Sequence, residues 1–336
     1  MKAIVCTKYG PPDVLKLKEV EKPIPKDNEV LIRIHAATVT AGDCEIRRFQ
    51  MPTWLWIPAR IGFGFTGPRK KILGQELAGE IEEIGKDVKR FRKGAQVFAF
   101  TGFSLGAYAE YACVSEEGVL AEKPVNMTYE EAATVPMGGI IALHYLKKGN
   151  IQSGDKVLIN GASGSIGTIA VHFAKYLGAE VTGVCSTTNL DMVRSIGADH
   201  VIDYAKEDFT DRGETYHVIF DVVGKSPFSN SLKSLKRNGS YLLGNPGISQ
   251  MVRGRWAGVT SNNRVISGTE SAKNEDLILL KGLMESGGID AVIDRRYTLE
   301  QTAEAHKYVE KGHKKGNVII TVGNDTSKMV DGDWNY

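Results

Sequence analysis

The feature that most constrains the fold is a glycine cluster near the middle of the chain, Gly161-x-x-Gly164-x-x-Gly167, which follows the apolar run Lys156–Asn160. An apolar run, a glycine turn and an amphipathic segment in that order predict a strand, a turn and a helix. The first backbone N–H groups of a helix lack intrahelical partners, so they can bind phosphate, and glycines let it come close. Ala162 replaces the first glycine of the usual dinucleotide fingerprint. We predict a pyrophosphate-binding turn, with an ordinary tight turn as the alternative.

Helical and extended patterns alternate on both sides of this turn. Thr128 and Glu131 have the spacing of a capping box ahead of the apolar stretch Ala132–Leu146. Short helices are predicted at Leu190–Ile196 and Ser229–Leu235. The predicted strands after Lys156–Asn160 are Glu180–Cys185, His200–Tyr204, His217–Val223, Ser240–Gly244 and Arg264–Gly268. This alternation predicts an α/β fold with a doubly wound parallel sheet covered on both faces.

The N-terminal part of the chain has short apolar runs separated by proline and glycine, which is typical of an all-β module. Its predicted strands are Lys2–Cys6, Val14–Val20, Glu29–Ala36, Ala78–Ile84, Gln96–Phe100 and Ala109–Val114. Near the C-terminus, Asp276–Met284 and Glu300–Val309 have helical spacing, and Val318–Val322 is a final strand. We expect this last part to return to the N-terminal module, because the parallel sheet already has its strands.

One segment of the N-terminal module, Phe49–Lys71, is rich in aromatic residues and proline. Two interpretations stay open: a hydrophobic flap packed on the β module, or an aromatic wall over a substrate cleft. Under the second, Trp54 and Phe63 are candidate substrate-binding residues.

Charge and cysteine content limit the possible partners and compartment. Forty-two Lys and Arg residues face 40 Asp and Glu, so the net charge of +2 gives no electrostatic signature of nucleic acid or an anionic membrane. No run approaches the roughly 18 apolar residues that span a bilayer, and no signal segment precedes Lys2–Cys6. The four cysteines are far apart, without a C-x-x-C pair. We therefore expect a cytoplasmic protein without disulfides.

Several motifs together resemble the medium-chain dehydrogenase/reductase superfamily, in particular its zinc-free quinone oxidoreductase-like branch. Besides the glycine turn, the motifs are Lys2–Val5, Leu73–Gly79, Ala132–Pro136, Gly197–Tyr204 and His313–Asn317. The resemblance implies a Rossmann domain and a GroES-like β-barrel domain formed by both chain ends. The expected boundaries are 1–124 for the first part of the GroES-like domain, 125–266 for the Rossmann domain, and 267–336 for the return and the tail.

The residues at the expected metal position argue against zinc. Zinc-dependent relatives have a Cys in the segment matching Thr38–Asp43 and a His in the segment matching Gly74–Glu76. Here those positions hold Thr40 and Gln75, which supply neither the thiolate nor the imidazole that zinc prefers. The four-cysteine structural zinc lobe is also missing. We predict no metal.

The end of the second strand of the parallel sheet favours NADPH over NADH. NAD-preferring dinucleotide folds place a carboxylate there to bind the ribose hydroxyls. This strand is followed by Ser186-Thr-Thr-Asn189, with no acid before Asp191. Ser186 and Asn189 can donate hydrogen bonds to a 2′-phosphate.

The resemblance implies further cofactor contacts at matching motifs. They comprise the turn itself, the ends of later strands and the C-terminal loop: Thr134, Gly161, Ser163, Gly164, Ser165, Ile166, Tyr204, Val222, Val223, Gly244, Ser267, Lys315, Gly316 and Asn317. For Val222 and Val223 a plain core strand is the alternative.

Without zinc, nothing polarises a simple ketone, so the expected acceptor is already electrophilic: a quinone or an α,β-unsaturated carbonyl compound. Thr40 and Asp43 occupy the metal-loop position and are candidates for positioning substrate or cofactor. A turn at Gly42-Asp43 is the alternative. No residue is a convincing general acid, so water is the expected proton source.

Two rival interpretations were weighed. A short-chain dehydrogenase needs a Tyr-x-x-x-Lys pair, and no tyrosine has a lysine four positions on. An NADPH-binding protein with a sensing or structural role remains the alternative. By resemblance to paired Rossmann domains, we expect a homodimer.

Overall fold

A computed structural model describes residues 1–50, 56–245, 250, 262–268 and 272–323. The chain begins with an antiparallel pair, β1 (Lys2–Cys6) and β2 (Leu15–Glu19). The next strands are β3 (Glu29–Val39), β4 (Glu76–Ile84), β5 (Gln96–Phe100), β6 (Tyr111–Ser115) and β7 (Val119–Glu122). A parallel series follows: β8 (Lys156–Asn160), β9 (Glu180–Cys185), β10 (His200–Asp203), β11 (Tyr216–Asp221), β12 (Leu235–Leu243) and β13 (Arg264–Ser267). The last two are β14 (Ile293–Thr298) and β15 (Asn317–Thr321).

The helices lie mostly in the second half of the chain. They are α1 (Ala41–Arg48), α2 (Trp56–Phe63), α3 (Tyr129–Ala133), α4 (Pro136–Gly149), α5 (Ser165–Tyr176), α6 (Leu190–Ser195), α7 (Phe228–Lys233), α8 (Asn274–Glu285) and α9 (Thr302–Val309). Within the described ranges, none is long and apolar enough to cross a bilayer.

The six parallel strands form one sheet in the order β10-β9-β8-β11-β12-β13. The order reverses direction between β8 and β11, as in a doubly wound dinucleotide-binding sheet. Alternate residues of each strand face opposite sides: Val157 and Ile159 join one buried apolar cluster and Leu158 joins another. The α/β doubly wound prediction is confirmed.

Apart from the β1–β2 pair, the other strands form a mainly antiparallel sheet in the order β14-β15-β3-β4-β5-β7, with β6 also paired to β3. The long β3 pairs with β4, β6 and β15, so it is the centre of this sheet. Val318 of β15 aligns with Val39 of β3, which confirms the predicted return of the C-terminal strand. The domain boundaries at 124/125 and 266/267 stay predictions.

Several predicted elements differ from the structure. Ala132–Leu146 is divided between α3 and α4, because Pro136 has no N–H to donate and therefore starts a new helix. The Thr128–Glu131 capping box is confirmed at α3. No helix was predicted at α1 and no strand at β7. The predicted strand ends at Tyr204, Val223, Gly244 and Gly268 are wrong, because β10 to β13 end one or two residues earlier.

Candidate active site

The glycine turn between β8 and α5 leaves open space at the start of the helix. Gly161 has φ +90°, and a Cβ at Gly167 would lie 2.1 Å from the Gly161 carbonyl oxygen, so both positions need glycine. A Cβ at Gly164 would meet only that oxygen, at 3.7 Å. Gly164 is the N-cap of α5, and no side chain caps this helix. The first N–H groups of α5, at Ser165 and Ile166, are therefore available to a phosphate.

The C-terminal loop lies directly against this turn. Gly316 N–H donates to the Ser163 carbonyl oxygen at 2.7 Å, and Ser165 Oγ donates to the Gly316 carbonyl oxygen at 3.0 Å. Asn317 is buried and Lys315 is exposed, with its backbone N–H 3.0 Å from Asp294 Oδ2. The structure thus brings the predicted loop and turn residues together. Gly164 and Gly316, which are 152 positions apart in the sequence, form a parallel β-bridge.

Lys314 is a site residue that the sequence prediction did not include. Its ammonium group donates to Ser165 Oγ and to the Gly316 carbonyl oxygen. Burial lowers its pKa to about 8, although the Glu76 carboxylate opposes this shift. A cation at the positive end of a helix dipole is unfavourable unless an anion joins them. The position therefore suits a bound phosphate.

The predicted 2′-phosphate contacts lie beside the turn, at the end of β9. Asn189 is buried and its Nδ2 donates to Ser163 Oγ at 3.1 Å, while Ser186 Oγ lies 3.2 Å from Thr188 Oγ1. Tyr204 follows β10 with its backbone N–H bonded to the Cys185 carbonyl oxygen and its ring exposed. Asn189 thus supports the turn through Ser163, whereas Ser186 and Tyr204 are the more accessible groups.

The remaining predicted contacts follow strands at the same edge of the sheet. Val222 and Val223 lie after β11, not in it, because the Asp221 carboxylate accepts the N–H groups of Val223 (3.2 Å) and Gly224 (2.9 Å) and ends the strand. Gly244 directly follows β12, and Ser267 is the last residue of β13. This edge is where open α/β sheets bind ligands.

Thr134 is buried and its hydroxyl donates to the Glu131 carbonyl oxygen at 2.7 Å, at the end of α3. The adjoining α4 packs closely on α5, since a Cβ at Gly138 would lie 3.0 Å from the Ser165 carbonyl oxygen. Thr134 therefore precedes the helix that packs on α5, and both its hydroxyl and its backbone N–H donate to Glu131.

Thr40 and Asp43 form a capping box at the start of α1. Asp43 Oδ2 accepts the Thr40 N–H at 2.9 Å and the Thr40 hydroxyl at 2.7 Å, and Thr40 Oγ1 accepts the Asp43 N–H at 3.1 Å. The alternative, a turn at Gly42-Asp43, is wrong, because both of these residues lie in the first turn of α1. Burial raises the pKa of Asp43 to about 6 although Thr40 stabilises its charged form. Their catalytic role stays a prediction.

Gln75 and Glu76 lie at the start of β4, beside this capping box. Gln75 is buried and its Oε1 has no hydrogen-bond partner in the described part of the chain; a Cβ at Gly42 would lie 3.1 Å away. Glu76 accepts hydrogen bonds from the Met137 N–H at 2.7 Å and from the Thr38 hydroxyl. A side chain of β4, in the mainly antiparallel sheet, therefore caps α4. Burial raises the pKa of Glu76 to about 7.

Comparisons with known proteins agree with this architecture. Residues 26–125 match the family model "Alcohol dehydrogenase GroES-like domain", and residues 196–320 match "Zinc-binding dehydrogenase". A 2-methylene-furan-3-one reductase from Solanum lycopersicum is 30% identical over 332 residues, covering 95% of this chain and 79% of that protein. This chain belongs to the medium-chain dehydrogenase/reductase superfamily.

Two solved structures of this superfamily are similar over nearly the whole chain. The quinone oxidoreductase from Coxiella burnetii is 28% identical with a TM-score of 0.85, covering 96% of this chain and 99% of its own. The Escherichia coli quinone oxidoreductase, solved in complex with NADPH, is 25% identical with a TM-score of 0.81 and covers 96% and 100%.

The zinc named in one superfamily model does not fit the residues present. Thr40 is used in its capping box, and an amide stands at Gln75. In the ranges that the structure describes, no three His, Cys, Asp or Glu side chains come together as a metal site. The donors that zinc prefers are therefore missing at the position where zinc-dependent superfamily members would hold it.

The two predicted substrate residues have different outcomes. Trp54 lies outside the described residues. Phe63 ends α2 and packs edge-on against Phe103, with ring centroids 5.5 Å apart. The Arg60 guanidinium lies 3.8 Å from the ring centroid of Phe49 within the flap and 4.9 Å from the ring centroid of Tyr9 outside it. In the described residues, the flap therefore contacts the β module through Phe63 and Phe103, and the substrate wall and the substrate role of Phe63 stay predictions.

Proposed function

We propose that this protein is a zinc-independent, NADPH-dependent oxidoreductase that reduces quinones or α,β-unsaturated carbonyl compounds. The observation that carries the proposal is the uncapped start of α5 beside Gly164, with the half-buried ammonium group of Lys314 at the same point. An uncapped helix start beside a cation is suited to a pyrophosphate. Quinone oxidoreductases and an enone reductase among the relatives support the acceptor class.

The residues suited to hold the cofactor belong to three segments. Ser165, Ile166 and Lys314 would bind the pyrophosphate, Ser186 and Tyr204 would lie at the adenosine end, and Gly316 fixes the loop against the turn. NADPH supplies a hydride when bound. No carboxylate follows β9 before Asp191, which supports NADPH over NADH. The relative from Escherichia coli was solved with NADPH.

We assign acceptor positioning to the region of Thr40 and Asp43. The capping box holds both side chains rigidly, and the buried Gln75 Oε1 next to Gly42 is a hydrogen-bond acceptor without a partner in the described residues. An electrophilic acceptor needs alignment more than activation, so a fixed pocket contributes through orientation. Water remains the proposed proton source.

NADPH oxidation followed with 9,10-phenanthrenequinone and with an enal tests the proposal. We expect turnover with NADPH, slower turnover with NADH, and no loss of rate after treatment with a zinc chelator. Tight NADPH binding without turnover on a broad acceptor panel would favour the sensing or structural role instead. Chelator-sensitive turnover would overturn zinc independence.

A homodimer and a cytoplasmic location are further parts of this proposal. In the described residues β13 is an edge strand paired only with β12, so a second copy could pair with it. A monomer mass in sedimentation equilibrium would refute the dimer. All four cysteines are free, which agrees with a reducing compartment.

A further inference from the structure

The charge of the chain is unevenly distributed around the aromatic flap. Six basic residues and no acidic residue lie between Ile46 and Gln75, although the whole chain carries only +2. Arg47 and Arg48 pair with Glu310, and Arg60 is stacked on aromatic rings. Arg69, Lys70 and Lys71 are exposed, and no acid of the described chain lies within ion-pair distance of them. Among the described residues, these three positive charges in one run therefore have no acidic partner.

Exposed apolar side chains lie on the same segment as this basic run and on the neighbouring residue Phe103. No residue of α2 is buried, and Ile57 (66% exposed) and Ile61 (56% exposed) lie one helical turn apart on the same face. Phe65 and Phe103 are also exposed, at 65% and 75%. A group of exposed apolar side chains marks an interaction site, whereas single scattered ones are normal at a protein surface.

Contacts of Phe63 connect the apolar helix α2 with both Phe103 and the start of the basic run. Phe103 contacts Phe63 at the end of α2, and the Arg69 N–H donates to the Phe63 carbonyl oxygen at 2.7 Å. A groove of about 460 Å³ is lined by Arg69, Lys70 and Lys71 on one side and by Ser104 and Leu105 on another. One acid, Glu21, also borders this groove. We call Ile57, Ile61, Phe65, Phe103 and Arg69–Lys71 the flap surface.

We propose that the flap surface docks on an anionic lipid bilayer. Its apolar side chains would enter the interfacial region, and Arg69, Lys70 and Lys71 would face lipid phosphates along the groove. A short exposed apolar helix beside a basic cluster has the chemistry of interfacial membrane binding, since burial and charge attraction act together. A second copy fits less well, because two-fold pairing through this surface would bring the same basic run of each copy together.

Co-sedimentation with vesicles tests the proposal without NADPH or acceptor, so its outcome does not depend on the proposed function. We expect the full chain to bind vesicles that contain phosphatidylserine and not vesicles of phosphatidylcholine alone. Added salt should weaken the binding, because it screens the charge attraction. No binding to phosphatidylserine vesicles at low salt would overturn the proposal.

Two double variants separate the apolar and the basic parts. Ile57→Ser with Ile61→Ser, and Lys70→Glu with Lys71→Glu, should each lower the vesicle partition coefficient about tenfold or more. Matched controls are Ile278→Ser with Leu279→Ser, which are exposed on α8, and Arg92→Glu with Lys93→Glu, which are exposed neighbours elsewhere. The controls should bind as the parent does, and all four should keep the parent's thermal midpoint.

Equal loss of binding in the controls would show non-specific attraction and refute the assigned surface. Sedimentation equilibrium on the same proteins tests the other occupant. If Ile57→Ser with Ile61→Ser converts a dimer to a monomer, the surface is covered by a second copy and the membrane proposal is wrong.

Discussion

Two connections in this molecule have the same local form, a strand that leads into a helix, but their helix starts differ. At α5 the N-cap is Gly164, and no side chain uses the first N–H groups. At α1 the N-cap is Thr40, whose side chain and that of Asp43 satisfy each other's backbone N–H groups. A helix start can bind an anion only when the chain has left its donors free. Only the first connection meets that condition.

A third helix start is intermediate between these two. Val135, the N-cap of α4, makes no side-chain hydrogen bond, and the Glu76 carboxylate from β4 accepts the Met137 N–H instead. The carboxyl group that accepts an N–H group of α4 is thus part of the protein, whereas at α5 the accepting group would be part of the cofactor. The comparison gives four predictions.

The largest expected effect comes from filling the space at α5. Gly164 has φ −86° and ψ 176°, which any residue adopts, and its Cβ would meet no close atom. Gly164→Val should therefore keep the parent's thermal midpoint but weaken NADPH binding about a thousandfold, because the side chain occupies the phosphate position. Isothermal titration calorimetry measures it, with Gly282→Ala on α8, where a Cβ meets nothing, as the control. Unchanged affinity in Gly164→Val would place the phosphate elsewhere.

Glu76→Gln tests how the burial of the group that caps α4 affects stability. The folded protein raises the pKa of Glu76 from 4.5 to about 7, so its contribution to the free energy of unfolding is complete below pH 4.5 and is lost as pH rises toward 7. Between those values the parent should lose on the order of 3 kcal/mol relative to Glu76→Gln, at about 1.4 kcal/mol per pKa unit. Urea unfolding of both proteins across this pH range measures the difference. Parallel pH profiles would contradict a pKa of Glu76 raised by burial.

Lys314→Met tests the cation at α5. We expect NADPH affinity to fall about thirtyfold near neutral pH, because a charge-assisted contact is lost. The pKa of Lys314 is about 8, and a bound phosphate favours the protonated form, so the parent's affinity should decline as pH rises above 8. The variant should show no such decline. Lys311→Met, an exposed position nearby, serves as the control; an identical pH profile for parent and Lys314→Met would remove Lys314 from the site.

The smallest effect compares two capping boxes. Thr40→Ala and Thr128→Ala should each lower the free energy of unfolding by about 1 kcal/mol, since each removes an N-cap bond. Thermal unfolding measures this cost. If Thr40 also positions the hydride acceptor, Thr40→Ala lowers kcat/KM more than Thr128→Ala does. Equal kcat/KM values would restrict Thr40 to capping.

Elements defined by local patterns could be predicted from the sequence. The strands Lys2–Cys6, Gln96–Phe100 and Glu180–Cys185 have the predicted bounds, since each is an apolar run limited by turn or polar residues. The helix α1 was missed because its buried residues include Arg47, whose burial depends on Glu310 and Gly10, both distant in sequence. The local periodicity of a sequence does not predict contacts between residues that are distant in the chain.

The candidate site was predictable to the same degree. The turn and the loop Lys315–Asn317 were found by motif, and the structure places them together. Sequence could not distinguish Lys314 from Lys315, because the direction of each side chain depends on how Gly316 joins the turn. The roles of Ser186 and Asn189 also separate only in three dimensions, where Asn189 bonds Ser163.

The bridge between Gly164 and Gly316 has a consequence for the newly made chain. A ribosome that has released only the parallel strands has made the glycine turn but not Lys314 or the loop that closes against it. Because domains fold as they emerge, the sheet can form well before its phosphate site is complete. Under the proposed function, the cofactor site is therefore complete only after β15 has been made. An unfinished chain would not consume the cell's reducing power.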